Sequence, residues 1–168
     1  MAVTIKSVVH RAKLQLSPDV ITLLKADHKE VNALFGQVEA LGERAFAQRF
    51  KLAQKICKAL EVHSKFEKSV LYTQMKERAK EHDDRKQVLE AFEEHGLVDR
   101  LVGEIQELNA RDESLEAKLN VLMENVVHHV KEEERELFPK VRDLFEKQEL
   151  VEMGKQFAEM KRRAGMAK

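Results

Sequence analysis

The stretch His128-His129-Val130-Lys131-Glu132-Glu133-Glu134-Arg135-Glu136-Leu137-Phe138-Pro139 decides how the chain is read. Leu122, Val126 and Leu137 trace the apolar stripe of a helix; His129 lies three residues beyond Val126, and Glu133 precedes Leu137 by four. Residues three or four apart share a helix face, so this imidazole and this carboxylate point with the hydrocarbon. An isolated carboxylate in such a place is costly unless it is paired or bound to metal. His128 and Glu132 make a competing pair at the same spacing, but they face away from the stripe and read as solvated.

The same pattern recurs upstream. His63, Glu67, Leu71 and Tyr72 repeat the offsets of His129, Glu133, Leu137 and Phe138. His28 with Val31, Leu34, Phe35 and Val38 matches His95 with Val98, Leu101, Val102 and Ile105. The paired histidines are 35 positions apart in the first half and 34 in the second. Two helical hairpins related by a pseudo-two-fold axis produce such a repeat.

Helix signals agree. Ser17-Pro18-Asp19 supplies a capping hydroxyl, a first-turn proline and an acid at the positive dipole end. A first stripe runs through Ile21, Leu24, Val31, Phe35 and Val38 and ends at Gly42; a second covers about Phe46 to His82, including Leu60 and Val70. Asp83-Asp84 opens a third helix, and Asn109 to Asp112 breaks it from a fourth, in which Pro139 predicts a kink or local break. Short connections make consecutive helices antiparallel. The expected fold is therefore all-α: an up-down-up-down four-helix bundle over residues 18–146. Accessory helices are expected at Ile5–Leu16, within an amino-terminal segment 1–17, and at Leu150–Met160, within a carboxy-terminal segment 147–168.

All six polar residues, His28, His63, Glu67, His95, His129 and Glu133, lie on core stripes. At roughly 1.5 Å per residue their heights along the bundle agree to within about one to two turns. A lone core histidine is more often structural than a ligand; two repeated His-x-x-x-Glu pairs, each with a partner histidine, point to metal. No lysine or arginine lies on the stripes near this layer, so the two acids need another source of positive charge. Grouping His28 with His63 and His95 with His129 gives each of two ions a pair of nitrogens. Ions in two-metal sites sit about 3.5–4 Å apart, a gap Glu67 and Glu133 can bridge. Imidazole-carboxylate sets with open positions suit non-haem iron, and also accept manganese or zinc.

Composition narrows the alternatives. Thirty basic residues balance thirty acidic ones in 168, so no strong field calls for nucleic acid or an anionic membrane. Tryptophan is absent and Tyr72 is the only tyrosine, which argues against an aromatic nucleic-acid platform. No stretch approaches the roughly 20 apolar residues that span a bilayer. Charges at Lys6, Arg11 and Lys13 interrupt any secretory signal, so a cytoplasmic protein is expected. Cys57, the lone cysteine, reads as packing; His10, His82 and His128 read as surface histidines, Lys161-Arg162-Arg163 as a solvated tail, and Tyr72 and Phe138 as core residues beyond the site.

The order His…His-x-x-x-Glu…His…His-x-x-x-Glu resembles the hemerythrin-like HHE cation-binding family. Ala26-Asp27-His28, Glu93-Glu94-His95 and the stretch quoted at the outset carry the likeness, which covers about residues 18–146. The resemblance implies a non-haem di-iron centre that binds dioxygen or a related small oxidant. His28, His63, His95 and His129 would be terminal ligands, and Glu67 and Glu133 bridges. Oxygen-carrying members hold a fifth histidine one turn before the position of His95; here that residue is Ala91, which cannot coordinate. The departure shifts weight from oxygen carriage toward sensing, peroxide or nitric oxide chemistry, or iron handling. A di-iron peroxidase or oxidase, or a metal- or redox-responsive module, are the rival expectations.

Overall fold

The computed structural model describes residues 17–166, so the expected helix at Ile5–Leu16 lies outside the described residues. Seven α-helices are described: α1 (Val20–Glu39), α2 (Phe46–Phe66), α3 (Tyr72–Arg78), α4 (His82–Gln106), α5 (Ser114–Glu132), α6 (Phe138–Leu144) and α7 (Lys147–Arg163). Single π-helical turns, Glu67–Leu71 and Glu133–Leu137, join α2 to α3 and α5 to α6. There is no strand among the described residues. Each long helix packs on two neighbours, in the ring α1, α2, α4, α5, giving the expected antiparallel bundle.

The helix starts and stops refine the sequence expectation. Asp19, rather than Ser17, caps α1: its carboxylate accepts the Thr22 N–H at 2.8 Å. Arg49, only 5% exposed, holds the α1–α2 turn by donating to the Gly42 and Glu43 carbonyls. The second long helical run stops at Arg78 rather than His82, and α4 begins at His82. The expected Leu150–Met160 helix extends to Lys147–Arg163, its start closed by a reciprocal capping box between Glu146 and Glu149.

The break expected at Pro139 falls earlier, at the π turn Glu133–Leu137. The Phe138 N–H reaches back to the Glu133 carbonyl, and the Tyr72 N–H to that of Glu67, so both halves carry the same widened turn. The residue corresponding to Pro139 in the first half is Thr73, so proline is not what the two turns share. The inserted residue shifts everything downstream by one position. Leu71 and Tyr72 become fully buried, while Val70, expected on the stripe, is only half-buried.

The core is split. Ile21, Leu24, Phe66, Leu71, Tyr72, Phe138 and Val141 belong to one apolar cluster, which α7 closes with Leu150, Met153 and Phe157. Val31, Phe35, Ile56, Leu60, Val98, Ile105, Leu119 and Leu122 belong to the other. Along every bundle helix the six polar residues fall between these clusters, so hydrocarbon walls the site above and below. Cys57 is buried in the second cluster, and burial pushes its thiol up to about 12, as packing requires. No helix among the described residues is long and apolar enough to cross a membrane.

Candidate metal centre

His28 on α1, His63 on α2, His95 on α4 and His129 on α5 turn their Nε2 atoms toward one another at mid-bundle. All four are 6% exposed or less; Glu67 is 0% and Glu133 2% exposed. Each glutamate begins a π turn, four residues after its helix's histidine, so its carboxylate projects into the same layer.

The carboxylates sit across the two halves. Glu67 Oε2 lies 3.0 Å from His63 Nε2 and 3.1 Å from His95 Nε2. Glu133 Oε2 lies 3.3 Å from His28 Nε2 and 3.9 Å from His129 Nε2. Each carboxylate therefore touches one histidine from each half of the repeat. Donor atoms of His28, His63, Glu67 and Glu133 all fall within 4.8 Å of one another, as do those of Glu67, His95 and His129. Glu67 belongs to both sets.

Polar satisfaction tests whether a cation fits. Both oxygens of Glu67, Oε2 of Glu133 and Nε2 of His129 are buried without a hydrogen-bond partner. Among the described residues no lysine or arginine pairs with either glutamate; their ion-pair contacts are the four imidazoles. Buried polar atoms are normally satisfied, and orphaned ones aimed at a common point ask for a missing partner. A metal cation would supply that partner, so the residues present fit a cation-binding centre.

The metal-free electrostatics carry the same demand. Burial disfavours charge on His63, yet the Glu67 carboxylate beside it, with Asp27 and Glu133, pushes its pKa up to about 10. Burial likewise opposes ionisation of Glu67, but His63 and His95 hold its carboxyl well below the usual range. A proton held so firmly occupies the place a cation would take.

Outer carboxylates orient the rings. Glu134 Oε1 contacts His28 Nδ1 at 2.9 Å and Glu94 Oε2 contacts His129 Nδ1 at 2.6 Å. Asp27 Oδ2 stands 3.8 Å from His63 Nδ1, an ion-pair distance rather than a hydrogen bond. A carboxylate on Nδ1 fixes the tautomer that offers Nε2 to a metal. His95 Nδ1 alone is orphaned. The repeat explains this: Lys68 stands where the second half has Glu134, and it turns away to pair with Asp99.

Two sequence expectations are corrected here. Tyr72 does not lie beyond the site; its hydroxyl donates to Glu133 Oε1 at 2.7 Å and stands 3.1 Å from His95 Nε2. Burial and the nearby Glu133 and Glu67 charges hold that phenol well above its ordinary value, so it stays a donor. Nor is Lys161 part of a solvated tail, for its ammonium pairs with Asp27 from α7. Arg162 and Arg163 are exposed, pairing with Glu159. Phe138, the repeat counterpart of Tyr72, stacks on His28 with ring centroids 5.8 Å apart and brings no hydroxyl.

The remaining residues fall as follows. His82 and His128 are exposed, and His10 lies outside the described residues. Ala91 is buried beside a cleft of about 40 Å³ that reaches His129 and Glu133. A second small cavity, about 20 Å³, is lined by the four histidines and by Val31, Leu60, Val98, Val126 and Val130. Asp27 and Glu94 could have been flagged from the sequence, since they occupy corresponding positions of the repeat, Asp27 immediately before His28 and Glu94 immediately before His95.

Comparison with known proteins agrees with the helical fold and with cation binding. A DNA nickase of Nostoc sp. is 26% identical over 121 residues, covering 72% of this chain but only 33% of that protein's length. A protein named for action on DNA leaves charge balance too weak a ground for setting nucleic acid aside. The crystal structure of a hemerythrin HHE cation-binding-domain protein from Mycobacterium kansasii superposes with a TM-score of 0.71 over 88% of each chain, at 21% identity, a likeness of fold. The sequence profile of the hemerythrin HHE cation-binding domain matches residues 19–141, and the chain belongs to that family.

Proposed function

We propose that the chain holds two iron ions, with His28 and His63 terminal on one, His95 and His129 terminal on the other, and Glu67 and Glu133 bridging. The observation that carries this reading is the position of each glutamate Oε2 between one histidine of each half. The loaded centre would bind or sense dioxygen or a related small oxidant such as nitric oxide. Support comes from the valine- and leucine-lined cavity against the four imidazoles: about 20 Å³ admits a single small molecule, and its hydrocarbon lining favours an apolar one.

The test is metal analysis of anaerobically purified protein, followed by optical spectra during exposure to dioxygen and after degassing. Two irons per chain and a reversible spectral change are expected. A change that never reverses overturns binding or sensing, and steady consumption of peroxide assigns turnover instead. Manganese or zinc at full occupancy would replace iron in the assignment.

A metal- or redox-responsive role has its own support. Asp27 joins His63 to Lys161 of α7, and Phe157 of α7 meets the His63 ring edge-on at 6.2 Å. Protease cleavage within α7 should then differ between metal-free, reduced and oxidised protein. Equal cleavage in all three removes this role.

A further inference from the structure

We propose that the open groove between α1 and α5 binds an amphipathic organic monoanion, a free carboxylate carrying a medium-length hydrocarbon tail. The proposal goes beyond the metal-binding reading and does not depend on it.

The ring of bundle helices is closed along α1–α2, α2–α4 and α4–α5, but gapes along the fourth side, where α1 and α5 barely meet. The gap is a groove of about 480 Å³, within the roughly 300–1,000 Å³ of small-ligand sites. Phe35, Val126 and Val130 line it with buried or half-buried hydrocarbon, and Val127 beside them is 49% exposed. Lys29 from α1 and Lys131 from α5 also line it; both are exposed and neither has a polar partner among the described residues. The groove's other charges are spent. Glu134 is held by His28 and Lys25, and Arg135 by Glu136. What is left uncompensated is positive, so the groove offers hydrocarbon to a tail and two ammonium groups to one anionic head.

The internal repeat supplies a control within the same chain. The α2–α4 face corresponds to the α5–α1 face, with Glu61, Ser64 and Lys68 in the places of Val127, Val130 and Glu134, and Asp99 in that of Asn32. There polar side chains tie the helices together. Ser64 and Lys68 both donate to Asp99, and Gln106 donates to Glu61 at 3.0 Å. Across the groove, Val127 and Val130 can make no such tie. The open face keeps one lysine, Lys131 for Lys65, and adds Lys29 where the tied face has Gly96. Hydrocarbon and positive charge thus replace the bridges on one side of the bundle only.

Charge also narrows the occupant. The chain's own first sixteen residues carry Lys6, Arg11 and Lys13 and no acid, so the groove's lysines disfavour them. Two copies meeting groove to groove would set like charges against each other. A small anion has neither difficulty. His28, Val126 and Val130 line both this groove and the cavity of about 20 Å³ among the four histidines, so an occupant lies one layer of side chains from the candidate centre.

The test is calorimetric titration of the protein as purified with decanoate, against decyltrimethylammonium and acetate, all below micelle-forming concentrations. Decanoate should bind one per chain, whereas acetate, with the head alone, and the ammonium, with the tail alone, should not. Lys29→Gln combined with Lys131→Gln should weaken decanoate binding about tenfold, as the loss of two exposed ion pairs implies. Val127→Glu, which gives the groove the acid that the tied face has as Glu61, should weaken it at least as much. Lys65→Gln, at the counterpart of Lys131, should leave it unchanged. All four positions are exposed, so the bundle keeps its core. Absence of decanoate binding, equal binding of the ammonium, binding unmoved by the Lys29 and Lys131 substitutions, or equal weakening by Lys65→Gln overturns the proposal. So does a dimer that Val127→Glu dissolves, which gives the face to a second copy. Decanoate binding is read without reference to metal, so its failure leaves the metal-binding reading untouched.

Discussion

At the scale of single residues, the centre is a near-symmetric frame with two asymmetric substitutions. Tyr72 and Phe138 occupy corresponding positions, yet only Tyr72 has a hydroxyl to give, so Glu133 is half satisfied while both oxygens of Glu67 wait. Lys68 and Glu134 likewise correspond, and only Glu134 orients a histidine. The two halves therefore offer different surroundings to two ions. Tyr72→Phe should leave metal stoichiometry intact while stranding Glu133 Oε1, a buried charged acceptor. Loss of such a bond costs about 1.5–3 kcal/mol, visible in urea denaturation of the metal-free protein, and an unchanged midpoint would contradict the assigned contact. His63→Ala and Glu67→Ala, by contrast, should lower bound metal, whereas His128→Ala should leave the equilibrium amount unchanged. Equal metal loss in all three would show that the inward and outward faces of α2 and α5 are assigned wrongly.

At the scale of elements, α7 is the lid over the cluster that holds Tyr72 and Phe138. Its Gly154 passes so close to the start of α1 that a Cβ would lie 2.6 Å from the Pro18 carbonyl oxygen and 3.1 Å from Val20 N. Backbone cannot yield as a side-chain tip does, so Gly154→Ala should destabilise the fold by about 1–3 kcal/mol, as overpacking does. Thermal unfolding checks this, and a parent-like midpoint would mean that α7 docks more loosely. What the sequence revealed of these elements follows their periodicity. His28, His63, His95 and His129 lie on straight α-helices, where a three-four spacing places a side chain on a face without knowledge of the neighbours. Past Glu67 and Glu133 the rule fails, because a π turn inserts one residue and no local residue type announces it. That is why Val70 was expected on the stripe and Tyr72 beyond the site, and why the break was assigned to Pro139 although the first half carries the same turn ahead of Thr73. Lys161 was illegible for another reason: its contact with Asp27 spans 134 positions and exists only once α7 folds back along α1.

At the scale of the whole molecule, thirty positive and thirty negative charges cancel, yet the balance is not local. The bundle sequesters two carboxylates at its centre, with four imidazoles around them and lysine or arginine only at the margin. Without metal, protons must stand in for the missing cations, and their loss should show in the fold's stability. His63 titrates at 6.5 when unfolded and is pushed up to about 10 in the metal-free fold, where burial is outweighed chiefly by Glu67; His129 is raised as well, against burial, by Glu94 and Glu133. A folded-state pKa raised in this way contributes stability that is complete below pH 6.5 and drains away as pH climbs toward 10. The metal-free protein should therefore lose on the order of several kcal/mol of unfolding free energy across that window. Metal takes the proton's place, so the loaded protein should keep its stability over the same range, and loading near neutral pH should release protons into solution. Urea denaturation at a series of pH values with and without metal measures the first effect, and calorimetry in buffers of different ionisation enthalpy measures the second. Parallel pH profiles for the two forms, together with metal uptake that releases no proton, would mean that the buried acids are neutralised by something other than the histidines and the ions they would hold.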